Sequence, residues 1–525
     1  MQKKKGINLL RGWPSTSLLP AAALRAASQT ALSDPDIWMP GLEYGPDPGY
    51  QPLREALARW LRGFYGDVAP ASSPTPRGEN EGHTTETDRI TITGGASQNL
   101  ACILQSFTDP VHTLAIWIVA PCYFLGCPIF ADAGFAGRLY PVPEDEEGVD
   151  LDFLERSMRA VESEAGHAPD RLGFKNVGMH RKVYRHVVYC VPTFGNPSGR
   201  TMSLARREDV VRLARRHDAL LICDDVYDML QWRTANAPVT TSLPSRDVVD
   251  LDKALLPRLV DTDIAEGRSP HDPVGKHFGH AVSNGSFSKL VAPGVRTGWT
   301  YSTPDFAYGL SQTGSTRSGG AASQLAATIV CELLSKTTSS AEAWSRIPPD
   351  TTTNSRIDEE ECQLDYHIRQ TLRPSYARRH ALLTRTVHAA LTPLGIRMQE
   401  GSLRGQEDIY GGYFVWLKLP RQSTTTIATG TKTTAWPTAQ AIADRCVADE
   451  NLIIGNGELF AVRNEDAGEL RFDNAIRLCF AFENEGDLVE GVERLGRVIR
   501  TMLDEEPEEW EVIQKIGVPD MNLTK

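Results

Sequence analysis

A loop lysine does chemistry only when something holds its amine away from water, and Lys289 sits in a segment built for that, SFSKLVAPGVRTGW from Ser286 to Trp299. Ser286 stands three residues before the lysine and Arg296 seven after it. The intervening Pro293-Gly294 turn can swing Arg296 back toward Ser286. A hydroxyl and a guanidinium converging on one anion make a phosphate site. An amine kept beside them, shielded from bulk solvent, is unprotonated often enough to form an imine. Taken alone such a lysine is usually a solvated surface residue; the neighbours distinguish this one.

Three further constellations accompany it. Asp224-Asp225-Val226-Tyr227 closes the apolar run ALLIC. Ligands of open α/β sheets bind beyond the carboxyl ends of strands, so a buried Asp224 is placed to hold a pyridine nitrogen protonated, with Tyr227 one turn on. An aspartate there is equally a favoured helix cap. PTFGNPSGRTMS, Pro192 to Ser203, follows the run HVVYC. Its Asn196-Pro197-Ser198-Gly199 has turn composition, and Ser203 suits the cap of a following helix, which leaves the Asn196 amide free for a ligand oxygen. TITGGASQNL pairs a strand with a Gly94-Gly95 turn and a helix, the arrangement that offers free backbone N–H groups to an anion. That turn gains weight only if its anion is the phosphate of Ser286 and Arg296.

The elements that must position these groups alternate along the chain. LREALARWLRGF (Leu53 to Phe64) has helical spacing, Ile90 to Thr93 is a short strand, and a helix runs from about Ser97 to Phe107. His186 to Pro192 is a strand, Leu204 to His217 an amphipathic helix, and Ala219 to Asp225 a buried strand. Helix–strand alternation predicts a mostly parallel sheet covered on both faces. Past about Leu364 the pattern becomes a long helix through YARRHALLTRTVHAAL, a strand YFVWLKLP, a helix near Thr438 to Glu450, IRLCFAF, and a final helix from about Glu485 to Asp504.

The expected organisation is an N-terminal arm contributing to the small domain (1–45), a large α/β domain (46–335) and a small C-terminal α+β domain (336–525). Polar insertions fall at about 71–88, 234–280, 335–361 and 421–434. His217 and His380 lie among basic neighbours on helical stretches and read as surface residues. Arg317, in STRSGGAASQ, either approaches the site or is solvated.

Composition narrows the classes. The chain has 525 residues, 41% hydrophobic and 23% charged, enough to bury a large core, and a net charge of −12. That balance argues against a nucleic-acid partner. The nine cysteines show no paired metal-ligand spacing and suit a reducing compartment. Leu114 to Ala131 is apolar but carries Pro121, Gly126 and Pro128, so it reads as a strand, a turn and a helix, not a membrane span. The apolar stretch after the basic start MQKKKGINLLRGWP is too short for a signal peptide. The expected location is cytoplasmic.

Taken together, these segments resemble the class I/II aminotransferases that use pyridoxal phosphate (PLP), the fold-type I family, and within it the 2-aminoadipate and aromatic aminotransferase-like subgroup. The Gly12-Trp13-Pro14 triplet, LEYGPDPGYQPLREAL from Leu42 to Leu57, and IRLCFAF add to the match, in the same order along nearly the whole chain apart from the insertions. The resemblance implies an α/β fold with a mostly parallel seven-stranded sheet in the large domain.

It also implies roles. Lys289 matches the lysine that carries PLP as a Schiff base and shuttles a proton, and Asp224 the carboxylate on the pyridine nitrogen. Tyr227 and Asn196 match the hydrogen-bonders to the phenolic oxygen. Ser286, Arg296 and the Gly95-Ala96-Ser97 turn match the phosphate cradle, and Tyr123 the aromatic that stacks on the ring. Tyr44 matches a tyrosine that reaches the phosphate of the neighbouring subunit in a homodimer. Arg477, with Gly12 and Asn196, matches the clamp on the substrate α-carboxylate. Ala96 departs from the hydroxyl many relatives carry, and Cys122 beside Tyr123 reads as packing.

The implied function is transamination between an α-amino acid and a 2-oxo acid. A PLP-dependent lyase or synthase, such as a C–S lyase or an aminocyclopropane-carboxylate synthase, shares every one of these motifs. A PLP-sensing regulator does too, but bacterial examples carry an N-terminal winged helix-turn-helix, against which stand the eleven residues before Gly12 and the acidic charge.

Overall fold

The computed structural model describes residues 4–67, 85–166, 175, 178–234, 249–317, 319, 322–335, 362–399, 408–427, 430–463, 470–505 and 510. The central sheet is built from β1 (Ile90–Thr93), β2 (Ala115–Ala120), β3 (Leu139–Asp145), β4 (Gly148–Val149), β5 (His186–Cys190), β6 (Ala219–Asp224), β7 (Ala281–Ser286) and β8 (Gly298–Tyr301). Their spatial order is β1-β8-β7-β6-β5-β2-β3-β4. The five strands from β7 to β3 are parallel, whereas β8 runs antiparallel to both its neighbours and β4 antiparallel to β3. Every residue of β2, β5 and β6 is buried, as expected for parallel strands covered on both faces by helices.

The sheet therefore has eight strands against the seven expected. The extra one is β4, two residues turned back on β3 and too short to leave a periodic signal. Leu114 to Ala131 resolves as β2, a turn, and short helical pieces at Phe124–Gly126 and Cys127–Phe130.

A second, antiparallel sheet is formed by β9 (Arg397–Met398), β10 (Phe414–Lys418), β11 (Gly455–Asn456) and β12 (Ala475–Cys479), in the order β9-β10-β12-β11. The helices Arg373–Ala390, Ala439–Glu450 and Glu485–Asp504 lie with it in sequence, the first and last packed on each other. Ile7–Asn8 pairs in parallel with Leu452–Ile453, and Leu9 accepts a hydrogen bond from the Cys479 amide at 2.7 Å. The start of the chain is thus tied to β12 immediately beside Arg477.

The readings of one polar segment and of two histidines are corrected. From Val249 onward the stretch read as an insertion is packed structure, with a helix at Leu259–Ala265. Its charges are buried in pairs: Arg258 Nη2 meets Asp261 Oδ1 at 2.7 Å, and its guanidinium lies 4.0 Å from the Tyr65 ring and 4.1 Å from the Tyr301 ring. Residues 422–427 and 430–435 form a hairpin. His217 and His380 are buried, not surface residues. His217 Nδ1 sits 3.1 Å from Glu162 Oε1, and His380 packs against the Tyr410 and Phe480 rings. Of the other insertions, 71–84 and 336–361 lie outside the described residues.

Candidate active site

The carboxyl ends of β2, β5, β6 and β7 open onto one cleft of about 220 Å³. Each strand delivers its polar residue at its last position or in the segment that follows it, where the backbone leaves the sheet and side chains face solvent space. Gly12, Ala96, Ser97, Tyr123, Asn196, Asp224, Tyr227, Ser286, Lys289, Arg296 and Arg477 all line it. Gly95 lies directly behind, in contact with Arg296. Of the residues given or offered a site role in the sequence, only Tyr44 and Arg317 stand apart. Tyr44 is 90% exposed, and both border a second cavity, where Arg317 Nε is 3.7 Å from Asp47 Oδ2.

Lys289 enters from the loop 287–297 that joins β7 to β8. Its Nζ donates to the Gly12 carbonyl at 2.8 Å, and the Tyr413 ring lies 5.3 Å away. Burial pushes the amine down to about 8, Arg477 adds to the fall, and Cys479 and Asp224 oppose it. A buried ammonium loses the hydration that stabilises its charge.

Asp224 ends β6. Burial raises its carboxyl to about 6, against hydrogen bonds from Tyr189 and Asn284 and the charge of Lys289. Tyr189 Oη donates to Oδ2 at 2.7 Å and Asn284 Nδ2 to Oδ1 at 2.9 Å. The acid is therefore ionised at neutral pH, in a site where an anion needs a cationic partner.

Arg477, on β12, is 3% exposed. It donates through Nη1 to Asn196 Oδ1 at 2.8 Å and through Nη2 to the Leu10 carbonyl, with its guanidinium 4.1 Å from the Phe414 ring and 4.5 Å from the Phe460 ring. Its Nε has no hydrogen-bond partner. Burial lowers the guanidinium to about 10, which still leaves a full positive charge at neutral pH. A desolvated cation with an unused donor is a carboxylate site.

The fourth corner is a cradle. Arg296 takes a left-handed backbone at φ 46°, which turns its side chain onto the Gly94-Gly95 turn, where Nη2 donates to the Gly94 carbonyl at 2.8 Å. Gly95 itself stands at φ +97°, and a Cβ there would lie 2.5 Å from Arg296 Nη2. The helix Ala96–Phe107 starts at this point with no side-chain cap, so its first N–H groups face the cleft. Ser286 Oγ bonds Ser288 Oγ at 3.0 Å, and Ser288 lies 3.4 Å from Arg296 Nη1. Tyr123 forms one wall; burial raises its phenol, and Ser97 hydrogen-bonds it.

The donor set thus comprises an uncapped helix start with hydroxyls and a guanidinium, an ionised acid, a depressed amine and a second guanidinium with one donor unused. PLP carries a phosphate, a basic ring nitrogen and an aldehyde, and its substrates carry a carboxylate; the residues present fit that combination. Sequence reading missed Ser288, Tyr189, Asn284, Asn99, Trp13 and Phe414. Ser288 was open to detection as a second hydroxyl one residue before Lys289. The others carry no local sequence sign of what they face.

A family model for aminotransferase class I and II matches residues 5–348. An uncharacterized protein of Saccharomyces cerevisiae is 29% identical over 512 residues, covering 95% of this chain and 98% of its own length. Aromatic-amino-acid aminotransferase 1 of Thermococcus litoralis is 25% identical over 94% of this chain and 88% of its own. Among solved structures, the multiple substrate aminotransferase of Thermococcus profundus superposes with a TM-score of 0.63 at 22% identity, covering 96% of this chain and 93% of that one. LysN, the α-aminoadipate aminotransferase of Thermus thermophilus complexed with N-(5'-phosphopyridoxyl)-L-leucine, gives 0.61 at 20% identity, with 95% and 93% covered. These two likenesses establish the fold.

Proposed function

Because this chain belongs to the aminotransferase class I and II family, we propose that it is a PLP-dependent transaminase, moving an amino group from an α-amino acid to a 2-oxo acid. The observation that carries this reading is the convergence of Lys289, Asp224 and Arg477 on one cleft beside a separate anion cradle. PLP, bound there, supplies an aldehyde to which an amine can be joined and a ring that draws electrons away from the substrate Cα.

The chain's own residues divide the remaining work. Ser286, Ser288, Arg296 and the N–H groups of the helix start hold the phosphate, with Gly95 keeping the turn free of a side chain that would displace Arg296. Asp224 keeps the ring nitrogen protonated. Tyr227 and Asn196 would hydrogen-bond the phenolic oxygen, and Tyr123 would stack on the ring, all three lining the cleft. Arg477 grips the substrate α-carboxylate, with Gly12 and Asn196 beside it, and so orients the Cα hydrogen toward Lys289. Lys289 Nζ, neutral above about pH 8, would take up the proton from the substrate Cα and hold it for return within the site. The phosphopyridoxyl-leucine conjugate bound by the Thermus protein supports the same pairing of cofactor and amino acid here.

The reading includes a homodimer in which the exposed Tyr44 reaches the phosphate of the other subunit. It also places the protein in the cytoplasm; among the described residues no helix is long and apolar enough to cross a membrane.

The test is a half-reaction. Holoenzyme mixed with a single amino acid and no oxo acid should release one keto acid per active site, without ammonia, and resume only when a 2-oxo acid is added. Continuous release of ammonia or of a fragmented side chain without any oxo acid would replace the transaminase with a lyase.

A further inference from the structure

Behind Asp224 stands a pair of buried amides that the activity above leaves unused. Strands β6 and β7 are parallel, and their register sets Asp224 directly against Asn284. Asn284 Nδ2 donates to Asp224 Oδ1 at 2.9 Å and to the Ala96 carbonyl at 3.1 Å. Its Oδ1 accepts from Asn99 Nδ2 at 2.8 Å. Both asparagines are 1% exposed.

These contacts leave Asn284 one orientation. The Ala96 carbonyl can only accept, so the NH2 group must face it and the carboxylate together. Asn99 closes the other edge. A flipped Asn284 would set its oxygen against Asp224 and its NH2 against the donor of Asn99. Asn99 makes this bond at a cost, since its own Oδ1 is buried without a partner. An apolar pair at positions 99 and 284 would pack with no stranded acceptor, so tying the helix Ala96–Phe107 to the sheet does not account for two amides. Their effect on Asp224 does.

We propose that Asn284, oriented by Asn99, is a positioning residue that keeps Asp224 ionised and aimed at the cofactor's ring nitrogen. The proposal rests on the reading of Asp224 given above. The titratable groups facing the carboxylate are Tyr189 from β5, Tyr123 from the segment after β2, Tyr227, and Lys289 from the loop after β7. Burial favours the neutral acid, and a donor to the charged form opposes it. Without the Asn284 donor the shared proton moves from the ring nitrogen onto Asp224.

Holoenzyme loaded with ¹⁵N-labelled PLP reports this directly, because the ring-nitrogen NMR shift follows its protonation. Asn284→Leu should lower the pH at which the nitrogen loses its proton by about one to two units, the worth of one hydrogen bond to a charge. Asn99→Ala should shift it the same way by less, and should add nothing in the Asn284→Leu background. Asn284→Ser, which restores a donor, should recover part of the shift. A purely structural role would lower the melting temperature and leave the nitrogen titration as in wild type. That result in Asn284→Leu, with Asp224→Asn losing the proton, overturns the proposal alone. If Asn284→Leu does not fold, the Asn99→Ala titration decides by the same criterion. A nitrogen that stays protonated in Asp224→Asn removes the Asp224 assignment, and this proposal with it.

Discussion

At the scale of single residues, the site depends on charges held where water would not leave them. The Lys289 amine is lowered by burial to about 8, so its reactive neutral form grows roughly tenfold per pH unit up to that point and levels off above it. Apoenzyme should therefore capture PLP faster as pH rises from 7 to 8, with a plateau beyond, in stopped-flow absorbance. Asp224, raised to about 6, is already ionised across that window and adds no slope. A capture rate that keeps climbing roughly tenfold per unit through pH 9 would show that the amine is not buried in solution. Arg477 yields a second expectation. Arg477→Lys keeps one charge but loses the planar fork, and should cut kcat/KM for amino acids by about 100-fold or more, while PLP affinity, measured by fluorescence titration, stays within a few-fold of wild type. Lys289, Asp224, Asn196 and Arg296 were legible in the sequence because each sits in a short segment whose neighbours share its purpose, whereas Arg477, in the apolar IRLCFAF, was placed only through the family resemblance. Asn284 and Asn99 were not. A buried asparagine in a strand gives no local sign of the carboxylate on the next strand, and its partners lie far away in sequence.

At the scale of elements, the cleft exists because strands end where glycines and prolines allow the chain to turn. Gly95 is the sharpest case, since its positive φ and the 2.5 Å approach of Arg296 leave no room for a Cβ. Gly95→Ala should raise the PLP dissociation constant about tenfold or more, from backbone strain and the displaced guanidinium together. The same strain acts in the apoenzyme, whose melting temperature should fall by about a few degrees. Unchanged PLP affinity would remove this turn from the cradle. The long helices and the buried strands β2, β5 and β6 were legible because their period or apolar run is intrinsic to the segment. Two-residue strands such as β4 and Ile7–Asn8 were not, because only their partners define them. The stretch from Val249 to His280 misled for a related reason. Its charges are those of a loop in sequence, yet Arg258 and Asp261 neutralise each other inside the fold.

At the scale of the whole molecule, the exposed Tyr44, which stands apart from its own chain's cleft, makes a claim about assembly. If Tyr44 serves the neighbouring subunit, mixing inactive Lys289→Ala with Tyr44→Ala should restore activity at limiting PLP, because each hybrid dimer has one site with both residues intact. No recovery on mixing, with subunit exchange shown by native mass spectrometry, would confine Tyr44 to its own chain. All these expectations rest on one amine being joined to one cofactor. The direct measurement is to load the purified protein with PLP, reduce it with borohydride, digest it and locate the phosphopyridoxyl group by mass spectrometry. The account predicts stoichiometric labelling of the peptide that carries Lys289, abolished in Lys289→Ala. Labelling spread over other lysines, or none at Lys289, would contradict it.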